Sequence, residues 1–89
     1  MKTNLIKKIF RNYRLQEKDK VIIVRLVDEA MDIPRCEEIL DFIIVLKLDK
    51  SSIIGFLGYQ LFKVKPEKAD LISQNFTKDE LSIYNGFKT

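Results

Sequence analysis

Apolar residues recur along the chain at spacings of three and four, and one stretch departs from that pattern by being apolar on every side. In Ser51 to Val64 (SSIIGFLGYQLFKV), Ile53, Ile54, Phe56, Leu57, Tyr59, Leu61, Phe62 and Val64 fall all around the helical wheel. A helix apolar all round is normally buried, so this stretch predicts a central helix. Gly55 and Gly58 lie three apart within it. Each gives up roughly 1 kcal/mol of helix propensity, and the bare backbone they create is where a neighbouring helix would come close. The same bare face would equally serve to join two copies of the chain as a homodimer.

The other segments are one-sided. At about 3–14, Leu5, Ile6, Ile9, Phe10 and Tyr13 share one face while Lys7, Lys8, Arg11 and Arg14 take the other, which predicts an amphipathic basic helix. Residues 16–20 make a linker or first turn. A second helix over 21–31 turns Ile23, Val24, Val27, Ala30 and Met31 inward, with Arg25 spaced to pair with Asp28 or Glu29. Asp32 as cap and Pro34 in the first turn open a third helix. It is expected to run to about 48, with Cys36, Ile39, Leu40, Ile43 and Leu46 inward and Phe42, Ile44 and Val45 widening the stripe. A turn at 49–52 leads into the central helix.

Pro66 then starts a shorter helix to about 75, with Leu71, Ile72 and Phe76 inward. Thr77 and Glu80 have the spacing of a capping box, and Phe76 with Leu81 that of a hydrophobic staple. A last helix is therefore expected from Lys78 to about Asn85, stopped by Gly86, with Ile83, Tyr84 and Phe87 to bury. Together these segments predict an all-α fold: a single domain over 1–89, a compact bundle of about five to six short helices around the central one. The competing pattern is strand, because VIIVRLV at 21–27 and FIIVLKL at 42–48 are β-branched runs of strand length. Both continue into helical spacing and neither borders a hairpin turn, which favours helix.

Size and composition add a constraint. Eighty-nine residues suffice for one core, but the 46% hydrophobic fraction is made of large side chains with scarcely any Ala. So short a chain does not readily hide them all, and self-association or a partner is expected. Cys36 is the only cysteine, which excludes an internal disulfide and suits a reducing cytoplasm, where it reads as a small buried hydrophobe. The opening MKTNLIKKIF has no apolar run of signal-peptide length, and Arg25, Asp41 and Lys47 interrupt the best candidates for a membrane span. Abundant Lys and Ile with little Ala reflects AT-rich coding, as in a low-GC bacterium, a phage or another virus.

Charge is distributed in blocks. Residues 1–20 hold seven Lys or Arg against Glu17 and Asp19, a net of +5, so the remaining residues carry −2 of the +3 total. From 28 to 41 six acidic residues face Arg35 alone. A basic helix suits phosphates of nucleic acid, an anionic membrane or an acidic protein surface. The membrane option is the weakest, since the core claims the apolar face and there is no Trp. Glu37, Glu38 and Asp41 could hold a hard cation, yet no loop of the calcium-binding kind surrounds them.

The chain contains no His, which removes the commonest general base, every Ser-His or Cys-His nucleophile pair and the usual zinc ligand sets. Three glycines at 55, 58 and 86 form neither of the Gly-rich phosphate motifs. The reading is a protein that is not an enzyme and needs no metal or cofactor. Its favoured function is that of a small interaction protein, a regulator or inhibitor that occupies a surface on a protein partner, with Lys7, Lys8, Arg11 and Arg14 as partner-binding or phosphate-contacting residues. The alternative is a DNA-binding regulator, because LDFIIVLKLDKSSIIGFL at 40–57 resembles a helix-turn-helix, with Ser51, Ser52 and Tyr59 facing DNA. It departs from that pattern where Lys47 replaces the usual Gly or small turn residue. The second helix also offers few side chains that read base edges.

Overall fold

The computed structural model describes residues 2–29 and 32–89, and every regular element among them is an α-helix. The order is α1 (Lys2–Asn12), α2 (Glu17–Asp28), α3 (Ile33–Val45), α4 (Lys50–Val64), α5 (Pro66–Ser73) and α6 (Lys78–Lys88). The all-α bundle is thus the observed fold, and the strand-like run at 21–27 lies inside α2. The other run divides between the last turns of α3 and the loop that follows it. Ala30 and Met31, assigned to the second helix's stripe, lie outside the described residues.

α4 is the central helix. It packs against α6, α5, α2 and α3, and Ile53, Ile54, Gly55, Phe56, Leu57, Gly58, Gln60 and Leu61 are all buried. The two glycines permit its closest contact. A methyl group placed on Gly55 would sit 2.5 Å from Ile83 Cγ2, 2.8 Å from Ile83 Cβ and 3.1 Å from the Tyr84 backbone nitrogen. One placed on Gly58 would come within 3.0 Å of the Phe76 and Tyr84 rings. The bare face is therefore filled by α6 and the loop before it, within one chain, and has no room for a second copy.

Capping explains where the helices begin. Asp32 and Asp49 accept hydrogen bonds from Arg35 N and Ser52 N, opening α3 and α4. At the start of α6 the Thr77 N–H donates to Glu80 Oε1 at 2.9 Å and the Glu80 N–H to Thr77 Oγ1 at 3.2 Å, the reciprocal pair its spacing predicts. Of the two readings of 16–20 the first turn holds: the Gln16 N–H donates to the Asp19 carboxylate, and 17–20 open α2.

Several helix ends and faces differ from expectation. α1 stops at Asn12, which leaves Arg14 in the linker. α3 stops at Val45 rather than near 48: Lys47 adopts a left-handed φ of 57°, its N–H bonds Ile44 O, and the Leu48 N–H reaches back to Ile43 O. That pattern normally recruits Gly, and here a lysine closes the helix. Leu46 consequently points to solvent instead of inward. In α5 the inward residues are Ala69, Ile72 and Ser73, spaced at three and four, which leaves Leu71 outside. α6 runs through Gly86, whose φ is not positive, and its last turn carries Phe87 onto Phe56 and Tyr59, with ring centroids 6.0 and 5.4 Å away. Arg25 pairs with neither helical acid; Glu29 instead takes Lys65 at 3.0 Å and Lys68 at 3.6 Å from α5 and the residue before it.

The glycine contacts predict a ranked set of stability changes. Gly55→Ala should destabilise most, because overpacking of about 1 to 3 kcal/mol outweighs the propensity gain. Gly58→Ala should destabilise less, since the aromatic rings have more freedom to tilt than the Ile83 Cβ and Tyr84 backbone. Nothing lies within 4 Å of a methyl on Gly86, so Gly86→Ala should raise stability by about 1 kcal/mol. Urea midpoints of the three variants read the order directly, and a rise for Gly55→Ala would contradict it.

Relief of the left-handed residue is a separate expectation. Lys47→Gly should raise the urea midpoint by the equivalent of about 1 kcal/mol, reduced somewhat by the greater freedom of Gly in the unfolded chain. An unchanged or lowered midpoint would show that Lys47 is not strained.

Candidate functional site

The basic residues of α1 lie beside α3. Lys7 and Arg11 are exposed, and with Asn4, Lys8 and Glu37 they line an open depression of about 340 Å³ between the two helices. Lys8 is committed to an ion pair with Asp41. Arg14, exposed in the linker, is not among the lining residues. Three of the four cations singled out from the sequence are thus brought together and the fourth is not.

Across the Lys8–Asp41 pair lies a surface the sequence reading assigned to the core. Phe42, Val45 and Leu46 remain 66%, 76% and 66% exposed. They are three and four residues apart, so they stand side by side on the outer face of α3, opposite buried Cys36, Leu40 and Ile43. A small apolar depression of about 170 Å³ forms between Asp41, Phe42 and Val45. The signal available in the sequence is the two-sided apolar pattern of the third helix, which periodicity alone does not distinguish from a wide core stripe.

The residues proposed to face DNA are differently placed. Ser51 and Ser52 are half-buried in the first turn of α4, and the Ser52 N–H is held by Asp49. Tyr59 is half-buried and stacked on Phe87, with interplanar angle 15°, while the Lys63 ammonium sits 5.2 Å above its ring. α4 itself is enclosed by four helices, so these side chains do not form one projecting ridge.

Ionisable groups elsewhere serve the fold. Burial pushes the Asp19 carboxyl upward, but hydrogen bonds from the Lys50 ammonium at 2.8 Å and the Gln16 N–H outweigh it and hold its pKa below the ordinary carboxylate value. The Asp70 carboxyl is lowered first by the Tyr84 hydroxyl, which donates to it at 2.8 Å, and then by Lys88. The Glu29 carboxyl is lowered by the hydrogen bond from Lys65. Tyr84 is pushed well up by burial and by its bond to Asp70. Burial pushes the Cys36 thiol up to about 11, so it stays protonated within the core. Glu80 is buried, with Oε1 in the helix cap and Oε2 without a hydrogen-bond partner among the described residues. Opposite charge reaches it from Lys50.

No group of three or more acidic, Cys or His side chains placed to hold a metal occurs among the described residues. No helix among them is long and apolar enough to cross a membrane. Comparison of the chain with models of known protein families, with curated proteins and with solved structures finds no match.

The three depressed carboxyls set the acid limb of stability. A carboxyl whose folded pKa lies below its unfolded value stabilises the fold above the unfolded value, near pH 4, and loses that contribution as pH falls through the folded one. Stability should therefore be level from neutrality to about pH 5 and decline below about pH 4. Asp19→Asn should lower stability at pH 7 by on the order of 1 kcal/mol and make the acid decline shallower. Urea midpoints measured against pH for both proteins test this, and parallel curves would exclude Asp19 as a contributor.

Proposed function

We propose that the protein is a small helical interaction module that binds a protein partner through the outer face of α3, acting as a regulator or inhibitor by occupying a surface. One observation carries this reading: Phe42, Val45 and Leu46 are about two-thirds or more exposed, adjacent, and on the face of α3 opposite its core stripe. Large apolar side chains scattered singly over a surface need no explanation, but a cluster rimmed by charge is typical of a binding site. Here the charged neighbours are Asp41, which borders Phe42 and Val45 and is paired with Lys8 of α1, and exposed Glu38, four residues before Phe42 on the same helix. An apolar centre with a polar rim is the usual anatomy of a protein interface.

A recognition helix for DNA would need to project a polar face into a groove, and the enclosure of α4 argues against that role. The single buried thiol suits a reducing, cytoplasmic setting. The Lys- and Ile-rich composition agrees with a phage, viral or low-GC bacterial source.

The test compares wild type with Phe42→Asp as immobilised bait in an extract of the native host. Phe42 is exposed, so the variant should keep its urea midpoint to within about 0.5 kcal/mol. A defined protein should be retained by wild type, resist nuclease and roughly 0.5 M salt, and be lost with Phe42→Asp. Retention of nucleic acid that disappears at that salt, or capture indifferent to Phe42, would overturn the reading.

A further inference from the structure

We infer that the seam between α1 and α3 is a second docking surface, separate from the Phe42 face, and that it takes an extended acidic segment of a protein partner. The two helices lie side by side and run in the same sense, since Lys8 pairs with Asp41 while Asn12 and Tyr13 share a depression with Ile44, Lys47 and Leu48. This second depression is about 340 Å³, as large as the one beside Lys7 and Arg11. The seam therefore carries a hollow on each side of the Lys8–Asp41 bridge.

Its free charge is positive. Lys7 and Arg11 at one end and Lys47 at the other are exposed, and none of them makes an ion pair within the chain among the described residues. Against them stand Glu37, half-buried beside the first hollow, and Asp41, which Lys8 neutralises. Asp49, beyond Tyr13, is held in the cap of α4. Lys47 is the informative residue. It keeps a left-handed φ of 57° where Gly would close the helix without strain, and what the lysine adds there is an ammonium at the second hollow. Backbone strain that a commoner residue would relieve is characteristic of binding sites.

Spacing and charge favour a peptide over a nucleic acid. Lys7 and Arg11 are four residues apart on α1, a rise of roughly 6 Å, and side chains on one face of an extended peptide recur at roughly 6.6 Å. Carboxylates at alternate positions thus reach both, and Arg11 can take one in bidentate form. A phosphodiester strand would bring its phosphates against the Glu37 carboxylate, whereas a peptide can turn a backbone N–H toward it. The strand would also lack a stacking platform, because Tyr13, the one ring lining the seam among the described residues, is half-buried and its hydroxyl donates to Leu48 O at 2.9 Å.

Fluorescence anisotropy with a labelled, end-capped decapeptide of alternating Glu and Ser, at about 50 mM salt, tests the surface. Wild type should bind the peptide, and Arg11→Glu should weaken binding at least about tenfold. Lys47→Gln and Lys47→Gly should each weaken it about threefold, the second despite the greater stability expected of that variant. A lysine that served only the fold would leave the affinity unchanged. Lys78→Gln, which removes an exposed cation from α6, is the control for net charge. No binding by wild type, an equal loss with Lys78→Gln, or an affinity indifferent to Arg11 or to Lys47 overturns the inference. So does tighter binding of a six-residue oligothymidylate of equal charge, which would make the seam a phosphate track. Neither result bears on the Phe42 face.

Discussion

The contact between α4 and α6 across Gly55 and Gly58 is the constraint on which the rest of the bundle depends. Interiors are packed closely enough that one methyl group is felt, and here the missing side chains of α4 are replaced by Ile83, Tyr84 and the Phe76 ring. Tyr84 then stands edge-on to both Phe62 and Phe76, with ring centroids 6.2 and 5.6 Å away. Its hydroxyl reaches Asp70 on α5, so one residue ties α6 to both of its neighbours. The buried end of Tyr84 serves packing and its polar end satisfies a carboxylate, the division of labour that suits a tyrosine at the edge of a core.

Much of this was legible in the sequence because the responsible signals are local. The paired glycines, the Thr77 and Glu80 box, Asp32 as a cap, and Pro34 and Pro66 in first turns all act within a turn of their own position. The errors share the opposite character. Lys47 in a left-handed conformation carries no mark in composition, since the residue usually chosen there is Gly. Gly86 looked like a stop because nothing nearby reveals that Phe87 is needed on Tyr59, twenty-eight positions upstream. Spacing alone offers Asp28 or Glu29 to Arg25 on its own helix, whereas the partners Glu29 takes, Lys65 and Lys68, come from the far half of the chain.

The candidate surface was harder to see for a related reason. A stripe of Cys36, Leu40 and Ile43 and a second one of Phe42, Val45 and Leu46 look alike by periodicity, and only the position of α1 and α4 around α3 decides which is covered. The early helix end at Lys47 contributes, because it leaves Leu46 at the outer corner of the turn. The basic residues of α1 were correctly separated from its apolar face, yet their neighbour across the groove, Glu37, and the pairing of Lys8 with Asp41 depend on a helix thirty residues away.

The bundle is unevenly bound together. α4 lies against α6 and α5 far more extensively than against α2 and α3, while α1 rests chiefly on α2 and α3. The three C-terminal helices are also consecutive, joined by Lys65 alone and by residues 74–77, so their mutual contacts close with little loss of loop entropy. On loop entropy and contact extent alone, this unit is expected to form first and the N-terminal helices to open at lower free energy than global unfolding requires, which hydrogen exchange of α1 to α3 against α4 to α6 would read. The exposed face of α3 belongs to that more loosely held half. Anything that covers it holds the N-terminal helices to the rest by mass action, so occupancy of the surface would be felt as a gain in the integrity of the whole domain.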